Sequence, residues 1–135
     1  MARDRRDDLG AHLRRRRHEL GLKQVQVAER LGANEWSVIG WERKGRKPSV
    51  EHYPAIIRFL GYEPWPEPRT LAEALIAERR RRGLAICAAA AAMGVDEGTW
   101  GRWEKGEWKP TSRTLPMIDA FLGLPTVTRF PGQIR

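Results

Sequence analysis

Apolar residues recur at helical spacing near the start of the chain, where Leu9, Leu13 and Leu20 stand on either side of a polar run. This spacing predicts a first helix over about 7–20. Gly21 follows directly, and glycine is a residue type that commonly ends a helix.

Three shorter helices are predicted after the first. A helix of two turns ends at Leu31, just before Gly32, and Asn34 is a suitable N-cap for a third helix over about 35–43. A last helical stretch runs to Leu60. Because no segment shows the apolar and polar alternation of a strand, the pattern predicts an all-α fold of four to five short helices.

The same pattern occurs twice. Residues 9–62 placed on residues 71–124, a shift of 62, are identical at 17 of 54 positions without a gap. The matches include glycines, prolines and one tryptophan, Trp41 on Trp103, so chance similarity of composition is a poor explanation. The repeat indicates a duplicated fold unit.

The repeat divides the chain into four segments. We expect a first domain over 1–62, a linker over 63–70, a second domain over 71–125 and a tail over 126–135. Prolines at alternate positions of the linker favour a short, stiff and extended path. For the tail, three alternatives are open: disorder, a basic arm, or a strip that binds a partner.

The chain is basic. It has 25 Lys and Arg against 17 Asp and Glu, a net charge of +8, which suits nucleic acid better than a membrane surface. Residues 1–62 hold 14 of the basic and 8 of the acidic residues, so the first copy should bind a polyanion more strongly. We expect the basic runs Arg14–Arg17 and Arg79–Arg82 to occupy corresponding places in the two copies. Such runs are usually solvated helix faces, and only part of each is expected to meet phosphate.

The sequence offers no catalytic or metal-binding constellation. His12, His18 and His52 are scattered, and Cys87, the one cysteine, lies in an alanine-rich helix where we expect a small buried thiol. We therefore expect no enzyme, no cofactor and no metal. The apolar run over 85–93 is too short to span a bilayer, which favours a cytoplasmic protein without a membrane partner.

A short helix, a glycine turn, a capped helix and then Trp-Glu is the order of a helix-turn-helix motif. The motif residues of the first copy are Leu13-Arg14, Arg17, Gly21-Leu22-Lys23-Gln24, Ala28, Leu31-Gly32, Trp41-Glu42-Arg43 and Pro48-Ser49. This set resembles the phage-repressor and Cro family, also called the Xre family. The resemblance implies two tandem lambda-repressor-like bundles, and it is looser in the second copy, which has Ile86 in place of the family's glutamine and an alanine run over 88–92.

The resemblance also implies structural roles. Arg17 and Glu42 are expected to form a partly buried ion pair between the first and third helices, and Arg79 and Glu104 should repeat it 62 residues later. The tryptophan before each glutamate is expected in the core rather than stacked on a base.

Sites follow from the same resemblance, which places helices over about 35–43 and 97–105 in the DNA major groove. The base-reading candidates are Glu35, Trp36, Ile39 and Gly40 in the first copy and Glu97, Gly98, Gly101 and Arg102 in the second. The phosphate candidates are Lys23, Gln24, Asn34, Ser37, Arg43, Lys44, Arg46, Lys47, Thr99, Lys105 and Lys109.

These side chains suit different bases. Glutamate can accept from cytosine N4, Trp36 can press on a thymine methyl, and Arg102 can bond guanine in a bidentate manner, so the copies should read different sequences. The alternative for Trp36 is packing against a neighbouring helix or a partner. The alternative for Gln24 is a solvated polar residue.

We therefore expect a sequence-specific regulator of transcription, a repressor in the simplest case, that binds double-stranded DNA. It would act as a covalent pseudo-dimer or as half of a homodimer. One alternative is an antitoxin that also binds a toxin. Another is a regulator whose second copy is a module for protein interaction or oligomerisation; Ile86 favours that module, whereas Arg102, Lys105 and Lys109 speak against it.

Overall fold

The computed structural model describes residues 8–135, and within that range the protein is all-α, as predicted. The α-helices are α1 (Leu9–Glu19), α2 (Gln24–Leu31), α3 (Glu35–Arg43), α4 (Tyr53–Leu60), α5 (Leu71–Arg82), α6 (Ile86–Met93), α7 (Glu97–Glu104), α8 (Leu115–Leu122) and α9 (Thr126–Arg129). Short 3₁₀ helices over Val50–His52 and Ser112–Thr114 precede α4 and α8.

The chain forms two compact units. The first unit ends at Pro66 and the second spans Glu67–Arg135, so their boundary lies inside the proline-rich segment 63–70. Among residues 8–135, no helix is both long enough and apolar enough to cross a bilayer.

The core of the first unit is built from one apolar stripe on each of four helices. Its buried side chains are Leu13, Val27, Ala28, Leu31, Val38, Trp41, Ile56, Phe59 and Leu60. Pro54 lies in the first turn of α4, where its missing N–H leaves no helical hydrogen bond unmade. Together these stripes fix α2 and α3 against α1 and α4.

The first helix differs from its prediction at both ends. It begins at Leu9, and position 7 of the predicted helix lies outside the described residues. Leu20 is the C-cap rather than a helical core residue and is 39% exposed, because Gly21, at φ 65°, turns the chain immediately after it. The predicted helix thus extends one residue too far at its C-terminal end.

The core of the second unit includes part of the segment set apart as a tail. Residues Thr126–Arg129 form α9, and Phe130 is 4% exposed inside the cluster around Trp100 and Phe121. The N–H of Thr126 donates to Asp119 Oδ1 at 2.9 Å, which fixes α9 to α8. Of the alternatives for the tail, disorder is wrong for this stretch.

Cys87 is exposed, so the prediction of a buried thiol is wrong. Helix α6 packs on the core through Ala89, Ala90 and Met93. With these residues facing inward, Cys87 lies on the solvent side of the helix. An alanine-rich helix has almost no contrast between its faces, and its sequence therefore does not show which side is buried.

Candidate nucleic-acid interface

Helices α2 and α3 form a helix-turn-helix in the first unit. Gly32 adopts the left-handed conformation at φ 66°, which glycine reaches without steric cost, and the N–H of Ala33 then donates to the carbonyl of Ala28 at 2.9 Å. Helix α3 begins two residues later, where Asn34 Oδ1 accepts from the N–H of Ser37 at 2.7 Å. This confirms Asn34 as the N-cap.

One face of α3 is open to solvent. Val38 and Trp41 face the core, Glu35 and Trp36 are exposed, and Ile39 is half-buried. Trp36 is 79% exposed, the highest value among the exposed large apolar side chains of residues 8–135. Trp36 is therefore not a core residue of its own unit, and its indole is accessible to a binding partner.

Gly40 lies one turn after Trp36 on α3 but is covered, so its placement among the base-reading residues needs correction. It is buried, and a Cβ built on it would come within 3.1 Å of the Arg46 side chain. The loop after α3 folds back, with the N–H of Arg46 donating to the carbonyl of Gly40 at 3.2 Å. The Arg46 side chain therefore covers Gly40, which the sequence analysis places among the base-reading residues.

The phosphate candidates of the first unit occupy two places. Lys23, Gln24, Asn34 and Ser37 lie at the N-terminal ends of α2 and α3, where backbone N–H groups favour anions. The exposed cations Arg43, Lys44, Arg46 and Lys47 lie at the end of α3 and in the loop that follows.

Gln24 has a protein partner as well. Its Nε2 donates to Glu42 Oε1 at 3.4 Å, a long contact that leaves the amide able to turn toward a ligand. Glu42 is 1% exposed and accepts from Arg17 Nε and Nη2 at 3.0 and 2.9 Å. Arg17 Nη1 donates to the carbonyl of Leu22 at 3.1 Å. The expected ion pair is confirmed, and it joins α1 to the end of α3. The contact from Gln24 joins the start of α2 to the same carboxylate.

The second unit repeats this frame. Arg79 donates to Glu104 from Nε at 2.6 Å and from Nη2 at 3.0 Å, and Trp100 Nε1 donates to the same carboxylate. Trp103, like its equivalent in the first unit, is buried. The prediction that these tryptophans are core residues is confirmed.

The outward face of α7 is smaller and differently charged. Glu97 and Gly98 are exposed, and Gly101 is half-buried with open space beside it. Arg102 is exposed, but its guanidinium Cζ lies 4.4 Å from the ring centroid of Trp108. The candidate side chains therefore share one surface, on which Arg102 already has an aromatic partner.

Fewer phosphate donors surround α7. Ala85 and Ile86 stand where the first unit has Lys23 and Gln24, and Asp96 replaces Asn34 as N-cap, accepting from the N–H of Thr99 at 3.1 Å. The segment 105–109 has two cations and one carboxylate, against four cations in 43–47. Lys105 and Lys109 are exposed, and Thr99 is occupied in the cap.

A cavity of about 780 Å³ lies between the start of α7 and the loop that follows it. Trp103 and Trp108 line it, together with Asp96, Glu107 and Lys109. Carboxylates and cations are mixed on its walls, so its lining does not select an anion. In the first unit, the 62-residue shift places Asn34 at the position of Asp96, Gly45 at that of Glu107 and Lys47 at that of Lys109. Neither of the two carboxylates is therefore present there.

Sequence reasoning missed Trp108 and the position of Arg46 above Gly40. A signal for both was present in the repeat, since Gly40 aligns with Arg102 and Arg46 with Trp108. Each unit thus has one arginine in this pair of positions, on the helix in one unit and on the loop in the other. The two basic runs are also out of register, because Arg79 aligns with Arg17 rather than with Arg14.

A family model described as a helix-turn-helix domain matches the chain twice, over residues 8–65 and 70–129. The two matches cover most of the chain, and the protein belongs to this helix-turn-helix family. No curated protein and no solved structure matches it. Helix-turn-helix domains are typical of DNA-binding regulators.

Proposed function

We propose that the protein is a sequence-specific regulator of transcription of the phage-repressor and Cro (Xre) type, which binds double-stranded DNA chiefly through its first unit. The observation that carries this proposal is the open face of α3, with Glu35 and Trp36 exposed between two helix N-termini and a loop of four cations. The proposal assigns no catalytic role, cofactor or metal, and it places the protein in the cytoplasm.

Different residues of this surface would contact the phosphates and the bases. The cations of 43–47 and Lys23 attract phosphates and release counterions, which gives affinity without sequence preference. Base edges in the major groove are then read by Glu35, Trp36 and Ile39. Asn34 and Ser37 are joined by their capping hydrogen bond, and they hold the start of α3 against the sugar-phosphate backbone of the DNA.

For the second unit we propose a weaker role in base recognition, carried by Arg102. For the whole protein we propose repression as the simplest regulatory outcome. A second candidate function for this unit is a protein-interaction module. It is favoured by the outward alanines of α6 at the positions where α2 carries Gln26, Glu29 and Arg30, and by the reduced charge of 105–109.

Selection of duplexes from a randomised library by the full chain tests the proposal. We expect enrichment of a preferred sequence and a change in that sequence when Trp36→Ala is used. Met117→Ala is a matched control, since Met117 is an exposed apolar residue on α8, outside both reading faces. A library that is bound without enrichment would overturn sequence-specific reading.

A further inference from the structure

A groove of about 830 Å³ lies between α1 and the end of α3 in the first unit. Its cationic lining consists of Arg14 and Arg15 from one wall and Arg43 and Lys44 from the other. His18 lines it as well. We call it the α1–α3 groove. Its size lies within the range of roughly 300–1,000 Å³ that is usual for ligand sites.

Two carboxylates line the same groove. Glu42 is almost fully buried and is held by both Nε and Nη2 of Arg17, so its charge is compensated from behind the groove wall. Asp8 is exposed at the start of α1. Among the residues from Asp8 onward that line the groove, four cationic side chains stand against this one exposed carboxylate, so their combined charge is positive.

The two walls are close together because of a glycine. Gly10 is buried where α1 meets α3, and a Cβ built on it would collide with the carbonyl oxygen of Trp41. Arg14 follows one turn later on α1, so the same close contact brings it beside the end of α3. The groove is thus a consequence of backbone packing and not of flexible side chains alone.

The second unit shows that folding does not require these cations. Helices α5 and α7 are also in contact, with Ala72 at the position of Gly10. Ile76 and Ala77 stand at the positions of Arg14 and Arg15 and Gly106 at that of Lys44, whereas Lys105 keeps the charge of Arg43. Like charges gathered on one surface repel each other, and this repulsion opposes close packing of the walls that carry them. Three of the four cations are present in the first unit alone, and this difference favours a role in binding.

We propose that the α1–α3 groove is a phosphate-binding site, separate from the base-reading face of α3. The partial negative charge at the C-terminus of a helix opposes an anion, so the cations must supply the attraction. Arginine is well suited to that task, because its planar guanidinium makes paired hydrogen bonds to phosphate oxygens.

Phosphate groups could reach this groove from the DNA backbone or from a free polyphosphate. The nine residues of α3 span about 13 Å, close to the ~12 Å width of the major groove, so its C-terminal end lies at the level of the backbone when its start reads bases. Binding of the DNA backbone in this groove rests on the proposed function. Binding of a free polyphosphate does not depend on it.

The test uses the full chain, inorganic tripolyphosphate and the selected duplex. We expect tripolyphosphate to shift the amide resonances of α1 and of residues 43–45, and Arg14→Gln with Arg15→Gln to weaken its binding at least fivefold. Arg43→Gln with Lys44→Gln should have the same effect from the opposite wall. Arg30→Gln with Arg58→Gln removes equal charge from exposed positions of α2 and α4 and should change affinity less than twofold.

With the duplex, a lower affinity for Arg14→Gln/Arg15→Gln, unchanged base preference and a salt slope reduced by about 1 to 2 would assign the groove to the DNA backbone. Loss of tripolyphosphate binding with unchanged duplex binding would assign it to a free anion. Equal losses in the groove variants and the control would overturn the proposal. If no duplex sequence is preferred but the tripolyphosphate result holds, the proposed function fails and the groove stands.

Discussion

Arg102 lies over the indole of Trp108, with its Cζ 4.4 Å from the ring centroid and its Nη1 3.6 Å from Glu107 Oε2. The 62-residue shift places Gly40 and Arg46 at the positions of Arg102 and Trp108, and there Arg46 covers Gly40. The arginine of each unit therefore reaches the recognition helix differently. In the second unit it is part of the helix and is already ordered by an aromatic ring, which reduces the entropy lost when it binds a base.

Replacement of Arg102 by Ala should weaken duplex binding by roughly 1–3 kcal/mol and relax the preference at one guanine. Trp108→Ala should weaken binding less and keep the preference, since the arginine remains but is less ordered. Fluorescence anisotropy against single-base variants of the selected duplex measures both. Unchanged affinity and preference in Arg102→Ala would place the second unit in the interaction-module class.

Gly10→Ala should destabilise the first unit by roughly 1–3 kcal/mol, because the added methyl overlaps the carbonyl of Trp41 and α1 must move away from α3. Gly101→Ala is the control. Open space surrounds Gly101 inside α7, so the substitution should stabilise the protein by roughly 0.5–1 kcal/mol. Urea denaturation checks both, and a neutral Gly10→Ala would contradict the close packing of the two helices.

The sequence predicted correctly those features that depend on a residue type with one local structural role. Asn34 as a cap, Gly32 as a left-handed turn and the Arg17–Glu42 pair depend on short-range geometry or on a spacing that the repeat shows twice. It was a poor guide to Arg46, because a loop side chain that folds back over a glycine leaves no periodic pattern. Phe130 was missed for a related reason, since a helix of four residues is too short to be detected by its periodicity.

The two buried ion pairs should respond differently to apolar replacement. Glu42→Leu alone leaves Arg17 buried without its partner and should cost roughly 3–5 kcal/mol, whereas Arg17→Met with Glu42→Leu should recover most of that loss. In the second unit, Trp100 Nε1 also donates to Glu104. The corresponding double replacement leaves this N–H without an acceptor and should recover less.

Denaturation of the single and double variants in both units decides this prediction. Recovery is measured as the difference in unfolding free energy between the double variant and the single glutamate variant. Equal recovery in the two units would show that the tryptophan N–H contributes nothing to the second site. Strict additivity of the single substitutions would contradict the pairing itself.

The cap of α7 should make the second unit sensitive to acid. Hydrogen bonds from the hydroxyl and the backbone N–H of Thr99 lower the pKa of Asp96. A pKa that is lower in the folded state contributes stability above the ordinary aspartate pKa, and this stability is lost as the pH falls through the folded value. We therefore expect the start of α7 to loosen in acid, as the carboxylate becomes protonated.

Asp96→Asn should reduce this dependence, because Asn34 already caps α3 without a titrating group. Asn34→Asp should introduce it at α3. The amide resonances of Thr99 and Ser37, followed between about pH 5 and pH 2, report the two caps separately. An identical acid response in Asp96→Asn and the unmodified protein would show that other carboxylates control the loss.

Trp36 should recognise the 5-methyl group of a thymine in the selected duplex. Replacement of that thymine by uracil removes one methyl, and the loss should be about 0.8 kcal/mol if the indole covers it. Trp36→Ala should weaken binding to the thymine duplex, and in this variant the change to uracil should have no further effect. Glu35→Ala is the control, since it should alter a different base preference and leave the uracil penalty intact. A uracil penalty that persists in Trp36→Ala would mean that the exposed indole meets something other than the base, such as a partner protein.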